Sequence, residues 1–287
     1  MVKYAVITDE ISQDIFEAAE LAGRFNLDGI EIRSVNDHGP HQLTKEDLEQ
    51  IKKAMKEYNL ECCAISAPFF KCNCNKEEVE ESIEILKKCI LVAKELGTKY
   101  IRGFTFFKEK ELDEALPEIV SAYKSVESIL EENDIYVLLE SDPSVNAACG
   151  EDLAKVIKAI DMDRVKGLWD PGNDIYSPTG EVPYPNGYNF MKGLINHVHI
   201  KDAVKNADGT ISGVPFGDGD VDFKGQLTAL KDDGYDGWIV METHYRVKLE
   251  ISEELLTRPQ GSGFSLGGYE ATEICLENFF KMAKEIF

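Results

Sequence analysis

Short apolar, β-rich runs recur along the chain at roughly even intervals: Tyr4 to Thr8, Gly29 to Arg33, Cys62 to Ser66, Tyr100 to Phe104, Ile135 to Glu140, Val165 to Asp170, His197 to Lys201 and Trp238 to Glu242. Each has the length and continuous hydrophobicity of a parallel strand buried on both faces. Between them, apolar positions recur at helical spacing. Ile15, Ala18, Ala22 and Phe25 share one face; Leu48, Ile51, Met55 and Tyr58 share another, with Thr44 and Asp47 reading as a capping box in front. Val79, Ile83, Leu86, Ile90 and Ala93 predict a third helix, and Gly97 is its natural stop. Leu116, Val120, Tyr123 and Val126 predict a fourth, and Leu153, Val156, Ile157 and Ile160 a fifth. Leu227 and Leu230 mark a short helix, and Ile274, Phe279, Met282 and Ile286 a closing one. Residues 171–193 break the rhythm: rich in Gly, Pro, Asn and Tyr, they predict at most a short helix near their end. Residues 245–268 are also irregular, and long loops of this kind often serve as lids or walls.

Eight strands, each followed by a crossover and with no composition break, predict an α/β chain folded as a (β/α)8 TIM barrel, a single domain over residues 1–287. A doubly wound sheet is the competitor. It usually carries a glycine-rich phosphate turn after its first strand, whereas this turn reads Thr8-Asp9-Glu10-Ile11-Ser12-Gln13.

The net charge of -22 sets a repulsive surface against phosphate backbones and anionic lipid, which argues against nucleic-acid and membrane partners. No stretch approaches the ~18 apolar residues of a membrane span. The first apolar run meets Asp9 and Glu10 too early for a signal peptide, so a cytoplasmic location is expected. The 7 cysteines form an odd count without framework spacing, the pattern of reduced thiols. Cys62-Cys63 and Cys72/Cys74 lack the spacing of structural zinc pairs and are expected to fill apolar or loop positions.

In a barrel of this kind chemistry sits where the strands end. The fifth run ends at Glu140, the sixth at Asp170, the seventh carries His199 and the eighth ends at Glu242. Neighbouring strands lie about 5 Å apart, so these four side chains can converge. Singly, each acid can be read as the cap of the next helix. Together, three carboxylates without a cation would raise one another's pKa, and a divalent ion resolves the repulsion. Mixed carboxylate and imidazole ligation suits Mn²⁺, with Mg²⁺, Co²⁺ or Zn²⁺ as alternatives.

With Thr8-Asp9-Glu10-Ile11-Ser12, Gly29-Ile30-Glu31-Ile32-Arg33, Leu139-Glu140, Trp169-Asp170-Pro171-Gly172-Asn173, His199-Ile200-Lys201-Asp202 and Gly217-Asp218-Gly219 before Val221-Asp222-Phe223 in this order and spacing, the sequence resembles the sugar phosphate isomerase/epimerase family of xylose isomerase-like barrels. The resemblance covers nearly the whole chain. It implies a metal site of Glu140, Asp170, His199 and Glu242, with Glu140 and Glu242 doubling as an acid/base pair. It also implies a small sugar or sugar-derived substrate and a homodimer or homotetramer. Asn173 stands where related enzymes often carry a substrate-contacting histidine. Lys201 matches a position that touches substrate or anchors nearby loops.

The implied chemistry moves a proton alpha to a carbonyl through a metal-stabilised enediolate, with one carboxylate removing the proton and the other returning it. Return to the same carbon epimerises, return to the neighbouring carbon isomerises, and loss of water makes an inosose-dehydratase-like reaction on the same site. Several further side chains are candidates for the substrate site. Glu31 and Arg33 share one face of the second strand, where they either bind substrate or pair inside the barrel mouth. Arg102 is similar. His197 is expected to be a satisfied core histidine, one layer below His199. His244 can hydrogen-bond substrate, and Lys71 can neutralise a carboxylate or phosphate on it or remain solvated. A metal-dependent AP endonuclease shares the barrel, but few histidines and the acidic charge argue against it. A degenerate, non-catalytic barrel would be expected to lose a ligand, and all four are present.

Overall fold

Eight parallel strands close on themselves in chain order: β1 (Lys3–Ile7), β2 (Gly29–Ile32), β3 (Glu61–Phe69), β4 (Tyr100–Gly103), β5 (Tyr136–Glu140), β6 (Val165–Trp169), β7 (Ile195–Ile200) and β8 (Trp238–Met241), with β1 paired to β8. The computed structural model describes residues 1–249, 251–257 and 259–287. Side chains alternate across each strand. Val137 and Leu139, Val198 and Ile200, and Ile239 and Met241 belong to the large cluster that includes the helices. Leu138 and Leu168 pack in one small separate cluster, and Ala5, Ile7 and Val240 in another, inside the barrel. The residues two further along, Glu140, Asp170 and Glu242, therefore lie on the inward parity at the C-terminal rim.

The helices begin where capping chemistry allows. Thr44 and Asp47 form the expected capping box of the helix Lys45–Tyr58. Asn75 caps Lys76–Leu96, and Gly97 ends that helix at φ +80°. Asp202 anchors the chain just past β7, its carboxylate accepting from Gly217 N and Gly219 N, both at 2.9 Å. A Cβ at Gly219 would lie 2.0 Å from Asp202 Oδ1, so only glycine permits this approach.

The structure corrects the expected connections. The expected short helix near the end of that segment is present at Tyr188–Met191, and a second helix, Pro171–Tyr176, starts directly after β6, with Asp170 accepting from Gly172 N at 2.9 Å. Proline is favoured at the first helical position, so Pro171 opens this helix instead of breaking it. A two-stranded antiparallel hairpin, Asp202–Lys205 with Ile211–Val214, follows β7; its arms, with Asp202, Lys205, Ser212 and Gly213 among their residues, lack the continuous apolar run that marks the barrel strands. The expected fourth helix is two, Leu112–Ser125 and Glu127–Asn133. Within 245–268 there are short helices at Glu253–Thr257 and Gly261–Ser265, while residues 250 and 258 of that segment lie outside the described residues. All seven cysteines are free, and Cys62 and Cys63 are buried. Among the described residues, no helix is long and apolar enough to cross a membrane.

The segment after β6 carries an electrostatic load. Burial, followed by the charge of Glu181, pushes the Asp174 carboxyl up to about 9. Gly187 lets the chain pass both groups, since a Cβ there would lie 2.7 Å from Asp174 Oδ2 and 2.8 Å from Glu181 Oε1. Because this pKa is raised on folding, the contribution of Asp174 to stability is fully present below its ordinary value of 3.8 and is lost as pH rises toward about 9. Asp174→Asn removes the titration. It is expected to raise the melting temperature at pH 8 by at least about 2 °C, with the gap closing toward pH 4 in calorimetric scans.

Candidate metal and acid–base site

At the C-terminal rim, Glu140, Asp170, His199 and Glu242 each offer one ligand atom, and these four atoms lie within 4.8 Å of one another; all four residues are buried. His199 Nδ1 stands 3.5 Å from Glu140 Oε1 and 3.5 Å from Glu242 Oε2, too far for a good hydrogen bond, and has no hydrogen-bond partner among the described residues. A buried imidazole nitrogen facing three carboxylates and bonded to none of them fits a cation between them. The other ring nitrogen, Nε2, is 3.1 Å from Glu31 Oε1.

Basic side chains surround this cluster. Lys201 Nζ pairs with Asp170 Oδ2 and, at 2.7 Å, with Glu242 Oε2. Arg33 reaches three carboxylates: Asp9 at 2.9 Å, Glu10 at 2.7 Å and Glu242 at 2.7 Å. Arg102 Nη1 lies 3.2 Å from Glu140 Oε2. Phe264 covers the guanidinium groups of Arg33, at 4.7 Å, and Arg246, at 5.0 Å.

This balance sets the protonation states. Burial pushes the Glu242 carboxyl up, but Lys201 and then His244 outweigh it and hold it well below the usual range. Burial is likewise overcome at Glu140, by Arg102 and His199, so its pKa is lowered. Asp170 goes the other way: burial dominates despite Lys201, with Glu242 and Glu140 adding to it, and its pKa rises to about 7. Three carboxylates at one point cannot all carry charge cheaply when nothing divalent lies between them.

A cavity of about 210 Å³ opens over the cluster; its lining includes Lys71, Phe104, Tyr176 and Leu256. A second cavity of about 310 Å³ shares Lys71, Arg102, Thr257 and Pro259 with it.

A model of the xylose isomerase-like TIM barrel family matches residues 16–261. The chain belongs to that family. An inosose dehydratase of Klebsiella pneumoniae is 30% identical over 145 residues, 45% of this chain and 48% of its own length, so the match spans about half of that relative. Among solved structures, the 3-keto-D-glucoside 4-epimerase YcjR of E. coli aligns with TM-score 0.72 at 16% identity, over 99% of this chain and 100% of its own. The IolI protein, solved with a bound zinc atom, aligns with TM-score 0.73 at 20% identity, over 99% of both chains. At these identities the two structures establish the fold.

Within this xylose isomerase-like barrel, Asn173, Lys201, His244, Lys71 and Arg102 all line the cavity over the cluster. Asn173 Nδ2 donates to Ser141 O at 2.8 Å and reaches Glu140 Oε1 at 3.4 Å, so it holds a carboxylate in place. Lys71 pairs with Asp142 at 2.7 Å rather than standing in solvent. Glu31 and Arg33 both form ion pairs inside the barrel mouth, Glu31 with His197 and His199 and Arg33 with Asp9, Glu10 and Glu242. Glu31 is fully buried, and Arg33 is spent on three carboxylates although it borders the second cavity. His197 is the satisfied core histidine expected, its Nε2 2.8 Å from Glu31 Oε2.

The sequence reading missed Asp9, Glu10 and Arg246. Asp9 and Glu10 lie just past β1 at the same rim as the other strand-end acids, a signal available from their position at the end of the first apolar run. Arg246 pairs with Glu10 at 3.5 Å from a segment with no periodic pattern. Arg33→Met would leave Asp9, Glu10 and Glu242 short of their shared cation. Urea denaturation should show a loss of about 3 kcal/mol or more; a stability equal to the parent would refute this account of the network.

Proposed function

We propose that this barrel is a divalent-metal-dependent sugar epimerase or isomerase, moving a proton alpha to a carbonyl with Glu140 and Glu242 as the acid/base pair. The observation that carries it is the placement of these two carboxylates, each 3.5 Å from the same unpartnered His199 Nδ1, with Asp170 completing the set. Glu140, Asp170, His199 and Glu242 would hold the ion; the mainly hard oxygen donor set favours Mn²⁺, with Mg²⁺, Co²⁺ or Zn²⁺ as alternatives. Once bound, the ion supplies Lewis acidity that withdraws electron density from the substrate carbonyl.

The protein's own groups do the rest. Glu140 takes the proton from the carbon beside the carbonyl, and Glu242 returns one. Both carboxylates rest ionised at neutral pH in the surroundings described above, so Glu140 can accept the substrate proton directly, while Glu242 first takes a proton from solvent through the cavity and then donates it; Glu140 afterwards loses its proton to solvent by the same route. Asn173 and Arg102 fix the orientation of Glu140. Lys201 and His244 line the cavity and present hydrogen-bond donors toward substrate oxygens.

A second reading has its own support in the inosose dehydratase similarity. On a polyol ketone the same first step is followed by departure of a β-hydroxyl, which takes a proton from the second carboxyl and leaves as water, producing an enone. Metal-loaded protein incubated in D₂O with ketoses and polyol ketones separates the two. Deuterium at an exchanging carbon with no loss of mass marks epimerisation or isomerisation, and loss of water with enone absorbance marks dehydration. Glu140→Gln and Glu242→Gln should each lower either activity by at least about 100-fold with the fold intact. Chelator should remove activity and Mn²⁺ restore it. Full activity in both variants would overturn the two-carboxylate scheme.

A further inference from the structure

We propose that Glu31 is a positioning residue that acts through His199. It holds the ring by Nε2–H, so that Nδ1 alone is presented to the ion; this rests on reading the Glu140, Asp170, His199 and Glu242 cluster as a metal site. Glu31 lies on β2, across the barrel interior from β7, and is fully buried. Its Oε1 accepts from Ser66 Oγ and stands 3.1 Å from His199 Nε2. Its Oε2 stands 2.8 Å from His197 Nε2 and 3.2 Å from His199 Nε2, with Cys63 Sγ at 3.8 Å. Among the described residues, its ion-pair partners are these two imidazoles, with no lysine or arginine.

A carboxylate can only accept, so Nε2 of His199 must be the protonated nitrogen. That leaves Nδ1, the nitrogen with no hydrogen-bond partner, turned toward Glu140 and Glu242. The carboxylate on the far nitrogen also makes the imidazole a better donor to a metal, as in other carboxylate–histidine–metal arrangements. Ser66 and His197 in turn hold the carboxylate. A glutamine at position 31 has nearly the same volume but carries an amide N–H₂. Turned toward Nε2, that amide would favour the opposite tautomer, with a proton on Nδ1 facing the ion.

The test measures binding and ring state, not turnover. In the parent protein loaded with ¹¹³Cd²⁺, the His199 ring should show ¹⁵N–¹¹³Cd coupling at Nδ1 and a slowly exchanging proton on Nε2; coupling at Nε2 would overturn the proposal without any variant being needed. By calorimetric titration, Glu31→Gln should bind Mn²⁺ about 10- to 100-fold more weakly than the parent, and Glu31→Asp, which keeps the carboxylate, should recover part of the loss. A merely structural role would lower the melting temperature of Glu31→Gln while leaving the Mn²⁺ affinity of its folded fraction unchanged, and that result would overturn the positioning role alone. A parent protein that takes up neither metal would instead overturn the metal-site reading on which this proposal stands.

Discussion

Asp9, Glu10, Glu31, Glu140, Asp170 and Glu242 are all buried at or near one end of the barrel. Removing an uncompensated carboxylate from water costs several kcal/mol, so each must find a cation or a set of donors. Arg33 answers for three of them and ties the turn after β1 to β2 and to the end of β8. Lys201 links the ends of β6 and β8, and Arg102 links β4 to β5. The rim is thus held by charge compensation, and the compensation stops short at one point. Among the described residues His199 Nδ1 has no hydrogen-bond partner, and Asp170 is left with a raised pKa. The place where the protein's own cations are insufficient is the place where a divalent ion would complete the balance.

This arrangement follows from strand alternation more than from any loop. Period two places Leu138 and Glu140 on one face of β5, and His197 and His199 on one face of β7. A one-residue slip in β5 would turn Glu140 toward the helices and bring Leu139 inward. The apolar residues of opposite parity pack under the helices and fix that register, so the core on the outside of the strands specifies the chemistry on the inside. The structural relatives share this barrel at 16–20% identity, as expected if parity and burial rather than particular side chains define the fold.

Much of this was legible in the sequence because the signals were local. Continuous apolar runs marked the strands, and the polar residue ending each run marked the rim, so Glu140, Asp170, His199 and Glu242 could be placed before any coordinates. What escaped depended on distant partners. Glu31 reads in the sequence as a substrate-binding or pairing candidate, and its partners emerge only when His197 and His199 are seen to converge on it across the barrel interior. Asp9, Glu10 and Arg246 are joined only by the closing of β1 onto β8 and the return of the chain near Phe264. The helix at Pro171 escaped for a different reason: Pro, Gly and Asn favour loops in general but suit a helix N-terminus when an Asp caps it.

The central claim is that the rim cluster binds one divalent ion. Anomalous diffraction at the manganese edge, from crystals grown with Mn²⁺, tests it most directly. A single strong peak bounded by carboxylate oxygens of Glu140, Asp170 and Glu242 and by His199 Nδ1 is the predicted result. A peak elsewhere, or no peak with Lys201 still bridging Asp170 and Glu242, would contradict it.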